Sequence, residues 1–145
     1  MIFGHIDIEP VVQKMAIESS LKNIEAVEKM ISQLKEEFAL SEESCDDIWL
    51  ALHEAVSNAI RHGNKFDSSK KVRISVESKY GRYVCFTIKD EGEGFNPAGI
   101  PDPTHPDRIE EPNGRGVFLI NQLADLVSYS QNGTCLEMCF ALYKS

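Results

Sequence analysis

Five of the chain's six prolines fall between residues 97 and 112: Pro97, Pro101, Pro103, Pro106 and Pro112, with Gly99 among them. Proline fixes φ and donates no backbone hydrogen bond, so residues 95–113 are expected to form neither a regular helix nor a strand. Regular structure must come from the stretches on either side. A loop this long inside a compact domain reads as functional, typically a lid. With 145 residues the chain has room for one domain with a real core and not for two of ordinary size. Its 42% hydrophobic and 26% charged residues, without a repeat or low-complexity tract, are those of a globular protein.

Periodicity organises the rest. Residues 1–9 (MIFGHIDIE) read as a short strand or a loose extension closed by Pro10, so residues 1–12 stand as an extension or extra strand ahead of a single domain over 13–145. Alternation over 13–18 predicts a strand. Ser19 and Ser20 then offer an N-cap to a long amphipathic helix, its apolar stripe being Leu21, Ile24, Val27, Ile31, Leu34 and Phe38. Ser41 or Ser44 opens a second helix that runs to about Arg61 and ends at His62-Gly63-Asn64. Its stripe is Ile48, Leu52, Ala55, Val56 and Ala59. Alternation at Val72, Ile74 and Val76, a Tyr80-Gly81 turn, and alternation at Val84, Phe86 and Ile88 predict a hairpin. Residues 115–124 read as a third helix, and 126–131 and 134–143 as two strands joined at Asn132-Gly133. The sum is α+β: a two-layer sandwich, a mostly antiparallel sheet with helices on one face.

Fifteen basic against twenty-three acidic residues leave a formal charge of −8. Such a chain lacks the basic field that non-specific binding to nucleic acid or an anionic membrane requires. No apolar run is long enough to span a bilayer, and the N-terminus lacks a signal-peptide layout. The four cysteines (Cys45, Cys85, Cys135, Cys139) show no CxxC and no His-rich metal spacing. Cys135 and Cys139 are four apart in a strand-like stretch and share a face. The expectation is four free thiols in a reduced, cytoplasmic protein, with a metal or disulfide as the lesser reading.

Three segments carry chemistry. In the second helix Glu54 and Asn58 are one turn apart and stack on one flank, beside the apolar stripe. An amide oxygen is a sufficient protein ligand for Mg²⁺, which keeps most of its waters, and a carboxylate one turn away can accept a proton. Alone, such a pair is usually a solvated helix face. Asp90-Glu91-Gly92-Glu93-Gly94-Phe95 follows a strand directly; its glycines admit close backbone approach and Asp90 can accept a hydrogen bond from an amine. The plain alternative is a tight acidic turn. Asn113-Gly114-Arg115-Gly116 opens a helix, where free N–H groups attract phosphate and Arg115 adds a charged fork. Its plain alternative is a flexible hinge.

The order of these segments is more telling than any one of them. Helix E-x-x-x-N-A, then strand D-x-G-x-G-F, then lid, then G-x-G into a helix resembles the three motif boxes of the GHKL ATPases, over about residues 13–143. That superfamily includes gyrase, MutL, the ninety-kilodalton heat-shock chaperones and histidine kinases, and shares the Bergerat ATP-binding fold. The stretches NAIRHGNK, DEGEGFNP and GRGVFLINQLAD look most like those of the stand-alone bacterial anti-sigma-factor serine/threonine kinases. The resemblance implies ATP and Mg²⁺ as ligands, Asn58 as the Mg²⁺ ligand and Glu54 as the catalytic base. It implies Asp90 at the adenine amino group, Gly92 and Gly94 shaping that pocket, and Thr134 helping to hold adenine. Gly114 and Gly116 would cradle phosphates and Arg115 would meet the γ-phosphate. His62 fits the family's run but is given no catalytic role, a histidine at a helix end being more often structural.

As partners the resemblance implies a sigma factor and a small STAS-like antagonist protein, with a homodimer formed through residues 1–12 or a sheet edge. Three activities stay open at this level: phosphorylation of the antagonist on serine or threonine, a nucleotide-gated binding module without transfer, and a detached histidine-kinase catalytic domain. Glu54 favours the first, since a pure binder needs no base there. The absence of a phosphoacceptor helix pair ahead of the domain weighs against the third.

Overall fold

The computed structural model of the chain describes residues 11–94 and 112–142, leaving out the side chains of residues 11–12 and 112–115. Five antiparallel strands form one open sheet: β1 (Val11–Glu18), β2 (Lys71–Lys79), β3 (Tyr83–Lys89), β4 (Leu126–Ser130) and β5 (Cys135–Ala141), in the order β1-β2-β3-β5-β4. Three helices, α1 (Ile24–Glu37), α2 (Glu42–Asn58) and α3 (Pro112–Leu123), cover one face. This is the α+β sandwich expected from the alternation, because each element hides one apolar side.

The core lies between the layers. Val72, Ile74 and Val76 of β2, Val84, Phe86 and Ile88 of β3, and Leu136, Met138 and Phe140 of β5 form the inner sheet face. Val27, Met30, Ile31 and Leu34 of α1 and Ile48, Leu52, Ala55 and Val56 of α2 close over them. Phe86 and Phe140 meet edge to face at 5.9 Å, the arrangement aromatic quadrupoles favour.

Local chemistry sets the boundaries. Ser41 Oγ accepts the Ser44 N–H at 3.0 Å and caps α2, so both serines marked as its start take part. Ser20 stands at the N-cap of a short 3₁₀ turn (Leu21–Asn23) before α1, without a side-chain cap bond. Ser19 Oγ instead donates to the Lys70 carbonyl at 2.6 Å. Tyr80 and Gly81 both have positive φ, and the Arg82 N–H closes the turn on the Lys79 carbonyl, the twist a tight hairpin needs.

Four boundaries and pairings differ from the sequence reading. β1 starts at Val11, two residues before the strand expected over 13–18, with Val11 paired to Glu77. α3 starts at Pro112, taking two residues assigned to the loop; proline is suited to the first helical position, where its missing N–H has no partner to lose. The rest of the expected lid, 95–111, lies outside the described residues. α2 does not simply stop near Arg61: it passes into one π-helical turn, Ala59–Gly63, whose last bond runs from the Asn64 N–H to the Ala59 carbonyl. Finally, the cysteines are not all free. Register sets Cys85 of β3 directly opposite Cys139 of β5, Cα atoms 4.0 Å apart, and the two are joined as a disulfide; Cys45 and Cys135 remain thiols.

Candidate nucleotide site

The π turn at the end of α2 directs the helix end toward the loop after β3. Gly63 lies so close to Asp90 that a Cβ on it would stand 2.5–2.8 Å from the carboxylate atoms. Gly92 lies equally close to the Gly63 carbonyl, and a methyl group there would overlap backbone that cannot move aside. The Gly92 N–H donates to Asp90 Oδ1 at 2.8 Å, and the Asp90 N–H to the Thr134 carbonyl at 2.9 Å. Asp90 is thus fixed from three sides.

Asn64 locks the same corner. Its buried amide donates to Ser19 Oγ at 2.9 Å and to the Lys71 carbonyl at 3.1 Å, while its Oδ1 accepts the Glu91 N–H at 2.7 Å. Across from it, Gln131, Asn132 and Gly133 run with positive φ into Thr134, and Gly94 sits against the Asn132 carbonyl. Thr134 Oγ1 donates to the Gln131 carbonyl at 2.8 Å.

These segments surround a cleft of about 580 Å³ including its open mouth, bounded by Ala55, Asn58, Ala59, His62, Gly63, Ile88, Asp90, Gly94, Val117, Ile120, Tyr129, Gly133, Thr134 and Leu136. Its mix of apolar walls with few polar groups suits a small-molecule site. Burial pushes the Asp90 carboxyl above its ordinary value, against the pull of the Gly92 N–H and of Lys70. Burial, helped by Arg61, takes the His62 imidazole below its own. The Tyr129 hydroxyl is pushed up to about 12 by burial. The cleft therefore joins a half-buried carboxylate that can accept a hydrogen bond to apolar walls.

At the other end, α3 crosses α2. Gly116 lies against the Asn58 amide, and a Cβ there would stand 3.4 Å from Glu54 Oε2. Of the residues the sequence marked, Asn58, Asp90, Gly94 and Thr134 line the cleft, while Glu54 and Gly116 stand beside Asn58 and Gly92 beside Asp90, behind its lining. Gly114 and Arg115 lie on the first turn of α3, whose side chains are outside the described residues. Sequence reasoning missed His62 and Tyr129 as cleft residues and Asn64 as the lock. Asn64 stands inside the quoted NAIRHGNK stretch, which was the available signal.

Among the described residues no helix is long and apolar enough to cross a membrane. Residues 17–140 match the family described as Histidine kinase-like ATPase domain. The chain is 31% identical over 115 residues to serine-protein kinase RsbW of Oceanobacillus iheyensis, covering 74% of this chain and 72% of that protein. It is 36% identical over 104 residues to anti-sigma F factor of Anoxybacillus flavithermus, 68% of this chain and 70% of that one. A serine-protein kinase RsbW of Staphylococcus epidermidis is 25% identical over 133 residues, 86% and 83% of the two chains.

Proposed function

The chain belongs to the histidine kinase-like ATPase family, and we propose that within it the protein is an anti-sigma-factor-type serine/threonine kinase. It would transfer the γ-phosphoryl group of ATP to a small STAS-like antagonist and separately hold a sigma factor. The observation that carries this reading is Glu54 beside Asn58 at the α3 end of a cleft whose opposite end holds the half-buried Asp90.

ATP fits the cleft. Asp90 offers an acceptor for the adenine amine, and Ile88, Ile120 and Leu136 offer apolar walls. Mg²⁺ fits the donors at the α3 end, because the Asn58 amide oxygen is a hard ligand of the kind it accepts, and it would offset phosphate charge when bound. Arg115, on the first turn of α3, is our choice for the γ-phosphate, with Gly114 beside it.

The protein's own part in transfer is placement and a proton. A serine or threonine hydroxyl of the antagonist attacks the γ-phosphorus as the bond to the ADP oxygen breaks, and the Glu54 carboxylate takes the hydroxyl proton. Asp90 and Thr134 hold the base end still while this happens. Positioning and charge stabilisation supply most of such catalysis.

The test is transfer itself. Purified chain, γ-labelled ATP and a STAS-like antagonist should yield label on an antagonist serine or threonine, dependent on Mg²⁺. Nucleotide-dependent binding of a partner with no label transferred would instead establish the binding-module reading.

A further inference from the structure

The outer sheet face, turned away from the helices and from the nucleotide cleft, carries a cluster that the kinase reading leaves unused. Register aligns Glu77, Cys85, Cys139 and Leu126 in one row across β2, β3, β5 and β4. Glu137 stands on the same face two residues before Cys139. The Sγ atoms of Cys85 and Cys139 and a carboxylate oxygen of Glu137 all lie within 4.8 Å of one another. Lys79 Nζ sits beside them, 2.7 Å from Glu137 Oε2 and 3.5 Å from Glu77 Oε1. A depression open to solvent leads to the group.

We propose that the reduced form of this cluster binds a thiophilic divalent cation of the zinc class through Cys85 Sγ, Cys139 Sγ and a Glu137 carboxylate oxygen, with one water. A four-coordinate zinc with bonds of about 2.0–2.3 Å holds its ligands roughly 3.5 Å apart, so small side-chain rotations suffice. Two thiolates and a carboxylate would carry excess negative charge against a dication. Lys79 offsets it, and by bonding Glu137 Oε2 it orients the carboxylate, the supporting role that metal-ligating carboxylates characteristically need.

The disulfide and the metal are mutually exclusive occupants. Reduction breaks the S–S bond: a dithiol supplies two electrons and two protons, leaving two thiols and its own disulfide. Metal binding then forms two metal–sulfur bonds and releases the two thiol protons to solvent. Either occupant joins β3 to β5, the strands that lead to Asp90 and away from Thr134.

The experiment uses the full chain carrying Cys45→Ser and Cys135→Ser, so that Cys85 and Cys139 are its only sulfur ligands of this kind. The protein is reduced with a phosphine, desalted without oxygen, and titrated with Cd²⁺. Thiolate-to-cadmium charge-transfer absorption should saturate at one equivalent and be displaced by Zn²⁺, while the oxidised protein gives none. Glu137→Gln should weaken binding about 10–100-fold, and Cys139→Ser by more than that. No absorption in the reduced protein, equal absorption in the oxidised one, or undiminished binding by Cys139→Ser overturns the site. Undiminished binding by Glu137→Gln overturns its three-ligand form.

Discussion

The two ends of the cleft are built by opposite means. At the Asp90 end, neighbours are backbone: the Gly63 carbonyl against Gly92, the Asn132 carbonyl against Gly94, and the Thr134 carbonyl on the Asp90 N–H. At the α3 end, the atom nearest to Gly116 is the tip of the Asn58 side chain. Among the described residues no hydrogen bond ties the Glu54 or Asn58 side chain. One end is a fixed mould and the other can rearrange. In the proposed reading the former would receive the rigid base and the latter the phosphoryl group that leaves during the reaction.

That contrast is sharpest in Glu54→Ala. We expect ATP binding to stay near wild type while phosphorylation of the antagonist slows about two to four orders of magnitude, measured by titration and single-turnover labelling. A wild-type rate would remove Glu54 as the base. At the other end Asp90→Asn should do the reverse: ATP affinity falls about 10–100-fold, as for loss of a charge-assisted hydrogen bond, while the rate at saturation changes much less. Equal losses in both variants would erase the distinction between the ends.

Smaller effects come from the glycines. Gly92→Ala pushes a methyl into backbone and should cost about 1–3 kcal/mol of stability, read by urea unfolding; Gly116→Ala should cost less because the Asn58 tip can turn aside. A larger cost at Gly116 would mean that the α3 end is the stiffer one. Smallest is a pH effect. The raised Asp90 value means that the folded chain holds this proton more tightly than the unfolded chain, whose carboxyl titrates at about 3.9. Stability therefore falls as pH rises from that value through the folded one, and the loss is fully present at neutral pH. Asp90→Asn should lack this fall and be slightly more stable at pH 7, the trade expected if Asp90 is kept for binding.

The fold was legible wherever it depended on short-range pattern. Val72, Ile74 and Val76 alternate because the sheet has one wet face, and the Asn132-Gly133 turn is written in residues that tolerate positive φ. Two of the three motif segments put residues in the cleft lining, Asn58 from the first and Asp90 and Gly94 from the second, while α3 lines it with Val117 and Ile120. Contacts set by register were not. Cys85 and Cys139 are 54 residues apart, and only strand pairing makes them neighbours; the sequence invited comparison of Cys135 with Cys139 instead. Tyr129 looks like any strand tyrosine until β4 is placed at the sheet edge. The start of α3 was hidden because Pro112 counts as a breaker in composition and as a starter only once its position in the helix is known.

Asn64 has a kinetic meaning beyond its place in the corner. Its partners Ser19 and the Glu91 amide are 45 and 27 residues away, one ahead of α1 and the other after β3. Its bond to the Lys71 carbonyl, seven residues on, is local, but the other two form only after the helical layer has docked on the sheet. Until then it is solvated and costs nothing; afterwards it is a latch, and opening the corner strands a buried polar group. Asn64 should thus belong to the interactions completed late in folding, so that Asn64→Ala mainly speeds unfolding and leaves the folding rate nearly unchanged. The corner that holds Asp90 would then set how long the molecule stays folded rather than how fast it arrives there.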